Sequence, residues 1–248
     1  MKILLVGYGK MGKTIEKIAI QRGHTIVGRV DVESTDTPTI TGQAITPGAD
    51  VAIEFTQPGA AVDNITRCIA AGIPVVSGTT GWLEKLDEVK ATVKKHDGAF
   101  FYASNYSLGV NVFFKVNEYL AKLMSSLPDR QTAQENYHVS IDETHHTQKK
   151  DAPSGTAITI AEGIIHYLPW KTSWVNEKSE TPEKLVINSF RVDPAPGTHS
   201  VKYKSAIDDI EITHTAHSRE GFALGAVLVA EWIRGRKGSL TMNDFLQF

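Results

Sequence analysis

Residues 143–157 read Glu-Thr-His-His-Thr-Gln-Lys-Lys-Asp-Ala-Pro-Ser-Gly-Thr-Ala. His145 and His146 can carry protons near neutral pH. Lys149 and Lys150 supply fixed positive charge. Pro153, Ser154, Gly155 and Thr156 lead into a helical stretch and offer backbone N–H groups and hydroxyls at its start, a place for an anion. The set suits a small acidic substrate with more than one carboxylate. Each part also has a plainer reading. Adjacent histidines on a strand face opposite ways, lysine pairs are ordinarily solvated, and Ser-Gly-Thr before a helix is often only a cap. Their crowding into one segment favours a functional site. A metal site built from His138, His145 and His146 is disfavoured. The spacing matches no standard motif, the lone Cys68 is far away in the chain, and Lys149 would repel a cation.

A second constellation is Gly7-Tyr8-Gly9-Lys10-Met11-Gly12, the spacing G-x-G-x-x-G. Alone it is weak, because glycines fall into it by chance. Here it follows an apolar strand and opens a helix, the context of a dinucleotide fingerprint. Gly7 permits the tight turn, Gly9 lets the backbone approach a pyrophosphate, and Gly12 lets helix and strand pack closely. Asp31 ends the second strand, where an acidic residue meets the adenine ribose. Two later strand ends carry Gly78-Thr79-Thr80-Gly81 and Ser104-Asn105-Tyr106-Ser107. Ligands of open parallel sheets sit outside the carboxyl ends of strands, so both loops are placed to line the nicotinamide end. Each reads equally well as an ordinary strand-to-helix turn.

The elements that must hold these residues follow from hydrophobic period. Strand candidates at Lys2–Val6, Thr25–Val30, Val51–Phe55, Ile73–Val76 and Ala99–Tyr102 alternate with helical stretches around Met11–Ala19, Gly59–Ala71 and Trp82–His96. Such alternation implies parallel βαβ units. Glu33–Gly48, rich in Thr and Pro, reads as loop. The pattern then changes. Val110–Leu127 and Ala157–Leu168 are helical, and Tyr137–His145 alternates with Val139 and Ile141 on one face. Lys184–Val192, His199–Lys204 and Asp209–Thr215 follow as successive strands. The fold class expected is α/β. An N-terminal Rossmann-like parallel-sheet domain is joined to a smaller α+β domain with a mostly antiparallel or mixed sheet. Gly221–Arg234 is a last long helix, and Asn243–Leu246 at most one more turn. The expected division is a dinucleotide-binding domain over 1–107, completed by 219–248, and a substrate-binding and oligomerisation domain over 108–218.

Composition agrees. The chain has 248 residues, 41% apolar and 22% charged, ordinary values for a globular protein. Its formal charge of −2, from 26 basic and 28 acidic residues, removes the electrostatic case for nucleic-acid binding. One cysteine allows no intrachain disulfide, and Cys68 reads as an inert apolar residue. The longest apolar run, Phe222–Ala230, is far below membrane-spanning length, and Ile3–Val6 is too short for a signal-peptide core. The expected address is cytoplasmic, with no membrane partner.

In their order along the chain, these motifs resemble the 4-hydroxy-tetrahydrodipicolinate (dihydrodipicolinate) reductase family of lysine biosynthesis. The resemblance rests on Gly7–Gly12, Gly78–Gly81, Ser104 through Asn111, and His145-His146 through Asp151-Ala152-Pro153-Ser154-Gly155-Thr156-Ala157. His214-Thr215-Ala216-His217-Ser218-Arg219 adds a late His-x-Ala-x-Ser-Arg stretch. The similarity runs nearly end to end, and the segment after the paired histidines is its most specific part. The resemblance implies an NADH- or NADPH-dependent oxidoreductase of the diaminopimelate/lysine pathway, giving tetrahydrodipicolinate from a small dicarboxylate ring, and a homotetramer. It implies His145 as general acid and Lys149 as its essential partner. It implies His146, Thr80, Gly155 and Thr156 as substrate contacts. Gly7, Lys10, Met11, Asp31, Gly78, Thr80, Ser104 and Tyr106 are implied as cofactor contacts.

The family often reads His-His-Arg-His-Lys where this chain has Thr147 and Gln148, which trims local positive charge but spares His145, His146 and Lys149. An arginine often follows the acid of the second strand, whereas Val32 and Glu33 follow Asp31 here, and the loop is shorter. Asp31 favours NADH, with Lys10 and Arg29 the cations able to meet a 2′-phosphate, so a modest NADH preference is expected. Two other readings stand beside this one: another two-domain dehydrogenase of an amino acid or sugar, and a non-catalytic NAD-sensing protein.

Overall fold

The computed structural model describes residues 1–31, 48–127 and 137–248; Val32, Glu33 and nearly all of the expected loop lie outside them. The chain divides into two compact units, Met1–Leu108 with Glu220–Phe248, and Gly109–Arg219.

The first unit holds a six-stranded parallel sheet. Its strands are β1 (Lys2–Val6), β2 (Thr25–Val30), β3 (Val51–Glu54), β4 (Val75–Ser77), β5 (Ala99–Tyr102) and β11 (Gly238–Leu240), in the order β11-β5-β4-β3-β1-β2. Strand residues alternate between two cores, as a period of two demands. Ile3, Leu5, Ile53 and Phe101 pack with Ile15, Ile18 and Ala19 of α1 (Lys10–Gln21) and with Ala223, Ala226 and Ala230 of α6 (Glu220–Trp232). Leu4, Val6, Ala52 and Phe100 pack on the other side with Ile65 and Ile69 of α2 (Pro58–Ala70) and Val89 and Val93 of α3 (Leu86–Lys95). The sheet is therefore doubly wound, with helices on both faces. The stretch Trp82–His96 splits into a 3-10 turn at Leu83–Lys85 and α3. Cys68 is buried, and desolvation pushes its thiol up to about 12, so it is inert at neutral pH.

The second unit holds a five-stranded mixed sheet. Its strands are β6 (His138–His145), β7 (Ser173–Val175), β8 (Lys184–Arg191), β9 (Gly197–Lys204) and β10 (Asp209–Ala216), in the order β10-β9-β6-β8-β7. β9 runs antiparallel to β6 and β10, while β8 runs parallel to β6 and β7. The sheet is mixed rather than mainly antiparallel because α5 (Gly155–Tyr167) carries the chain back between β6 and its parallel neighbours. Val139, Ile141, Leu185, Ile187 and Val201 pack against α5 and α4 (Leu108–Ser125). The opposite face carries a bonded polar set, in which Lys202 and Asn188 each donate to Asp142 at 2.8 Å. A short helix α7 (Met242–Leu246) follows β11.

Candidate active site

In the first unit the glycine loop has the shape of a phosphate cradle. Gly7 sits at φ +94°, and a Cβ there would stand 1.9 Å from the Phe55 carbonyl oxygen. A Cβ on Gly12 would stand 2.3 Å from the Gly7 carbonyl oxygen. Gly9 caps α1 without a side-chain hydrogen bond and no acidic residue occupies the first turn, an arrangement that suits an anion at the helix start. Asp31 accepts a 2.8 Å hydrogen bond from the Tyr8 amide, which ties the acid to the loop. Lys10 is exposed and Met11 half-buried beside it. A cradle that side chains would fill, an uncapped helix start and an acid at the second strand end together fit a dinucleotide.

Arg29, the second cation expected near a 2′-phosphate, is otherwise engaged. Its Nε lies 3.1 Å from Glu16, its Nη2 also bonds Glu16, and its guanidinium lies 5.5 Å over the Tyr8 ring. The Tyr8 hydroxyl donates to the same carboxylate. The hydrogen bonds to Glu16 raise the Arg29 pKa further, while those from Arg29 and Tyr8 lower that of Glu16. Sequence reading missed Glu16, which the first turns of α1 bring beneath the loop.

The Gly78–Gly81 loop is held by a buried carboxylate that spacing did not flag. Glu54 is 1% exposed and accepts from the Ser77 hydroxyl at 2.6 Å, the Thr79 hydroxyl at 2.7 Å and the Thr56 amide at 3.0 Å. Trp82 Nε1 donates to the Thr79 carbonyl at 2.6 Å. Thr79 is thus fixed inside, which leaves Thr80 exposed at the tip. Gly78 has no room for a Cβ, which would stand 2.1 Å from the Phe55 ring. Ser104 is exposed at the end of β5, but Tyr106 is not positioned as a side-chain contact. It is 2% exposed in the core and its hydroxyl donates to the Ser77 carbonyl at 2.7 Å. Its aromatic bulk won over the loop position, so any cofactor contact falls to its backbone.

In the second unit His145 is buried at the end of β6, while His146 is half-buried on the turn beyond, as the opposite-facing reading of adjacent histidines requires. The strand buries every second residue, and after Val139 and Ile141 come Glu143 and His145. Glu143 is fully buried. Its carboxylate accepts from the Ser154 amide at 3.1 Å, the Ser189 hydroxyl at 2.7 Å and Arg191 Nη2 at 3.2 Å. His145 Nδ1 lies 3.2 Å from Oε2, off the line of a straight hydrogen bond. His199 Nε2 stands 3.9 Å from the same oxygen and 3.1 Å from the Ser154 hydroxyl, and the two imidazoles meet edge to face at 5.1 Å. Strand register explains the gathering: Glu143 is opposite His199 on one side and Ser189 on the other, and His145 is opposite Arg191.

Burial alone would raise the Glu143 carboxyl, but the nearby His145 imidazole and the hydrogen bonds from Ser154 and Ser189 hold it well below the usual range. Burial, reinforced by charge on His145, pushes His199 down to about 4. His199 is therefore neutral at working pH.

Lys149 lies on the turn after β6, with its ammonium 2.7 and 2.9 Å from the Asp151 carboxylate oxygens. Arg219, of the late motif, places Nη2 3.0 Å from His146 Nε2. The expected anion site at residues 153–156 is narrower than the sequence implied. The Ser154 amide is taken by Glu143 and its hydroxyl caps Ala157 at 3.1 Å, leaving exposed Gly155 and half-buried Thr156 at the helix start. Glu143, His145 and His199 also bring ligand-type atoms within 4.8 Å of one another. Arg191 already supplies the cation to that carboxylate, so the arrangement suits proton handling better than metal capture.

A doubly wound unit with a phosphate cradle, joined to a unit that carries a carboxylate–histidine centre, defines a two-domain dinucleotide-dependent oxidoreductase. The chain belongs to the dihydrodipicolinate reductase family: its residues 1–106 match the N-terminal family model and residues 109–246 the C-terminal one. It is 48% identical over 99% of its length to the 4-hydroxy-tetrahydrodipicolinate reductase of Christiangramia forsetii, of which it covers 98%. It is 34% identical over 89% of its length to the enzyme of that name from Methanosarcina mazei, of which it covers 81%. The solved dipicolinate-bound dihydrodipicolinate reductase of Paenisporosarcina shares the fold over 99% of both chains, at TM-score 0.77 and 21% identity. Aspartate dehydrogenase of Thermotoga maritima shares it more loosely, over 95% of this chain and 97% of that one, at TM-score 0.51 and 13% identity. Membership decides for an enzyme and against both other readings of the sequence.

Proposed function

We propose that this chain reduces 4-hydroxy-tetrahydrodipicolinate to tetrahydrodipicolinate with NADH or NADPH, in diaminopimelate and lysine biosynthesis in the cytoplasm. The observation that carries the reading is His145, buried against an ionised Glu143 at the end of β6. The first unit, through Gly7, Gly9, Lys10, Met11, Gly12, Asp31, Gly78, Thr80, Ser104 and the Tyr106 backbone, is the dinucleotide-binding domain. The second is the substrate and assembly domain. The dinucleotide, when bound, supplies a hydride. In the second unit, Lys149, His146 and the start of α5 at Gly155 and Thr156 hold the carboxylates of the ring and stabilise negative charge as it develops; in the first unit, Thr80 is a further substrate-binding residue. His145 donates the proton that completes the reduction. Steady-state turnover of that ring substrate with either nicotinamide, lost in His145→Gln, tests the assignment.

NADH is the preferred donor by a modest factor, because Asp31 opposes a 2′-phosphate and Glu16 engages Arg29. Fluorescence titration of both nucleotides measures this on wild type and on Lys10→Ala, which should weaken NADPH more than NADH. A wild type that strongly prefers NADPH contradicts the preference, and an unchanged NADPH affinity in Lys10→Ala removes Lys10 as the contact.

The chain assembles as a homotetramer through the second unit. Helices α4 and α5 cover one face of its sheet, while Phe190 and Val192 remain 49% and 56% exposed near the end of β8. Exposed apolar groups beside an uncovered sheet face favour association of copies. Light scattering at micromolar concentration should give four subunits; a monomer contradicts it.

A further inference from the structure

We propose that Glu143 is the positioning residue for His145: it holds the Nδ1 edge of the ring toward the protein, so that Nε2 is the atom that gives up the proton. This rests on His145 being the proton donor. Nδ1 is sealed from solvent and lies 3.2 Å from Glu143 Oε2. On the other edge, Nε2 faces Gly197, where an ideal Cβ would stand only 3.1 Å away. Any side chain at that position would crowd Nε2. The carboxylate is itself immobile, because Ser154, Ser189 and Arg191 clamp it from α5 and β8.

Other charged and titratable groups surround the pair. His199 on β9 is neutral and gives the carboxylate no competing charge. Arg191 on β8 engages the other oxygen, Oε1. Lys149 and Asp151, in the loop after β6, neutralise one another. His214 on β10 is pushed down by burial. Glu143 is thus the carboxylate that faces the Nδ1 edge of His145, in the way a buried carboxylate orients a catalytic histidine. After proton transfer from Nε2, the neutral ring keeps its proton on Nδ1, facing Oε2.

The test is Glu143→Gln, which keeps an acceptor for the clamping groups and removes the charge. Expected is a fall in kcat of about 100-fold, with KM for ring and NADH within about threefold. Glu143→Asp should recover part of the loss. A KM that rises as far as kcat falls, or an unchanged kcat, overturns the proposal. Should Glu143→Gln not fold, long-range proton–nitrogen NMR of the wild type decides, with the signal assigned by its loss in His145→Gln. The Nδ1–H form of neutral His145 supports the proposal and the Nε2–H form overturns it. Wild-type turnover in His145→Gln would remove the proton donor itself; a slow His145→Gln beside an unchanged Glu143→Gln removes only the positioning role.

Discussion

Replacing His145 by Gln lowers kcat about a hundredfold or more while KM for the ring substrate moves only a few-fold. The size follows from removing a general acid whose proton is needed in the transition state and not in the ground state. Glutamine is close in length, keeps a hydrogen-bonding end, and leaves Ser154 and Arg191 clamping Glu143, so the fold around it should persist. Steady-state kinetics on variant and wild type, with nucleotide affinity measured separately, check this. Near-normal turnover would take the role away from His145. A large rise in KM at unchanged kcat would make it a binding group only.

Gly7→Ala should be the most damaging substitution in the first unit. Its Cβ would fall 1.9 Å from the Phe55 carbonyl oxygen, far inside van der Waals contact, and φ is +94°. Both faults are in the backbone, so no rotamer relieves them. Positive φ alone costs on the order of 1–3 kcal/mol for a residue with a side chain. With the clash, the loss should reach about 3 kcal/mol or more. In a chain of this size that lowers Tm by roughly 6–12 °C. Dinucleotide affinity should fall with it, because the loop must move away from Phe55. Calorimetry and nucleotide titration measure the two effects. Gly9→Ala is the comparison, since its Cβ would meet nothing within 4 Å and its φ is −74°. It should leave Tm nearly unchanged and weaken only the nucleotide. Equal Tm for Gly7→Ala and wild type would mean that the loop is not built as described.

Much of this architecture was legible because it is local. The strands of the first unit are short apolar runs ended by glycine or polar residues, and the helices between them keep a 3.6 period, so both follow from pattern alone. β7 and β11 are three residues each at sheet edges, too short for a period of two to show. At the site, the histidines, Lys149 and the helix start were visible because they lie in one segment. Glu143 lay in that segment too, yet its burial depends on carrying the Val139–Ile141 alternation one step further. His199, Ser189 and Arg191 reach it only through cross-strand register, which no local pattern specifies. The pairing of Arg29 with Glu16 is likewise between side chains on different elements. The place of the Tyr106 ring, in the core between Phe55 and Phe101, was not legible from its loop position either.

The central claim is the reaction. Its most direct test mixes the purified chain and NADH with the condensation product of pyruvate and aspartate semialdehyde, and follows absorbance at the nicotinamide band. The account predicts oxidation of NADH that requires both the ring substrate and the protein, and that falls at least a hundredfold in His145→Gln. Binding of NADH with no oxidation by that ring, or equal oxidation in His145→Gln, would contradict it.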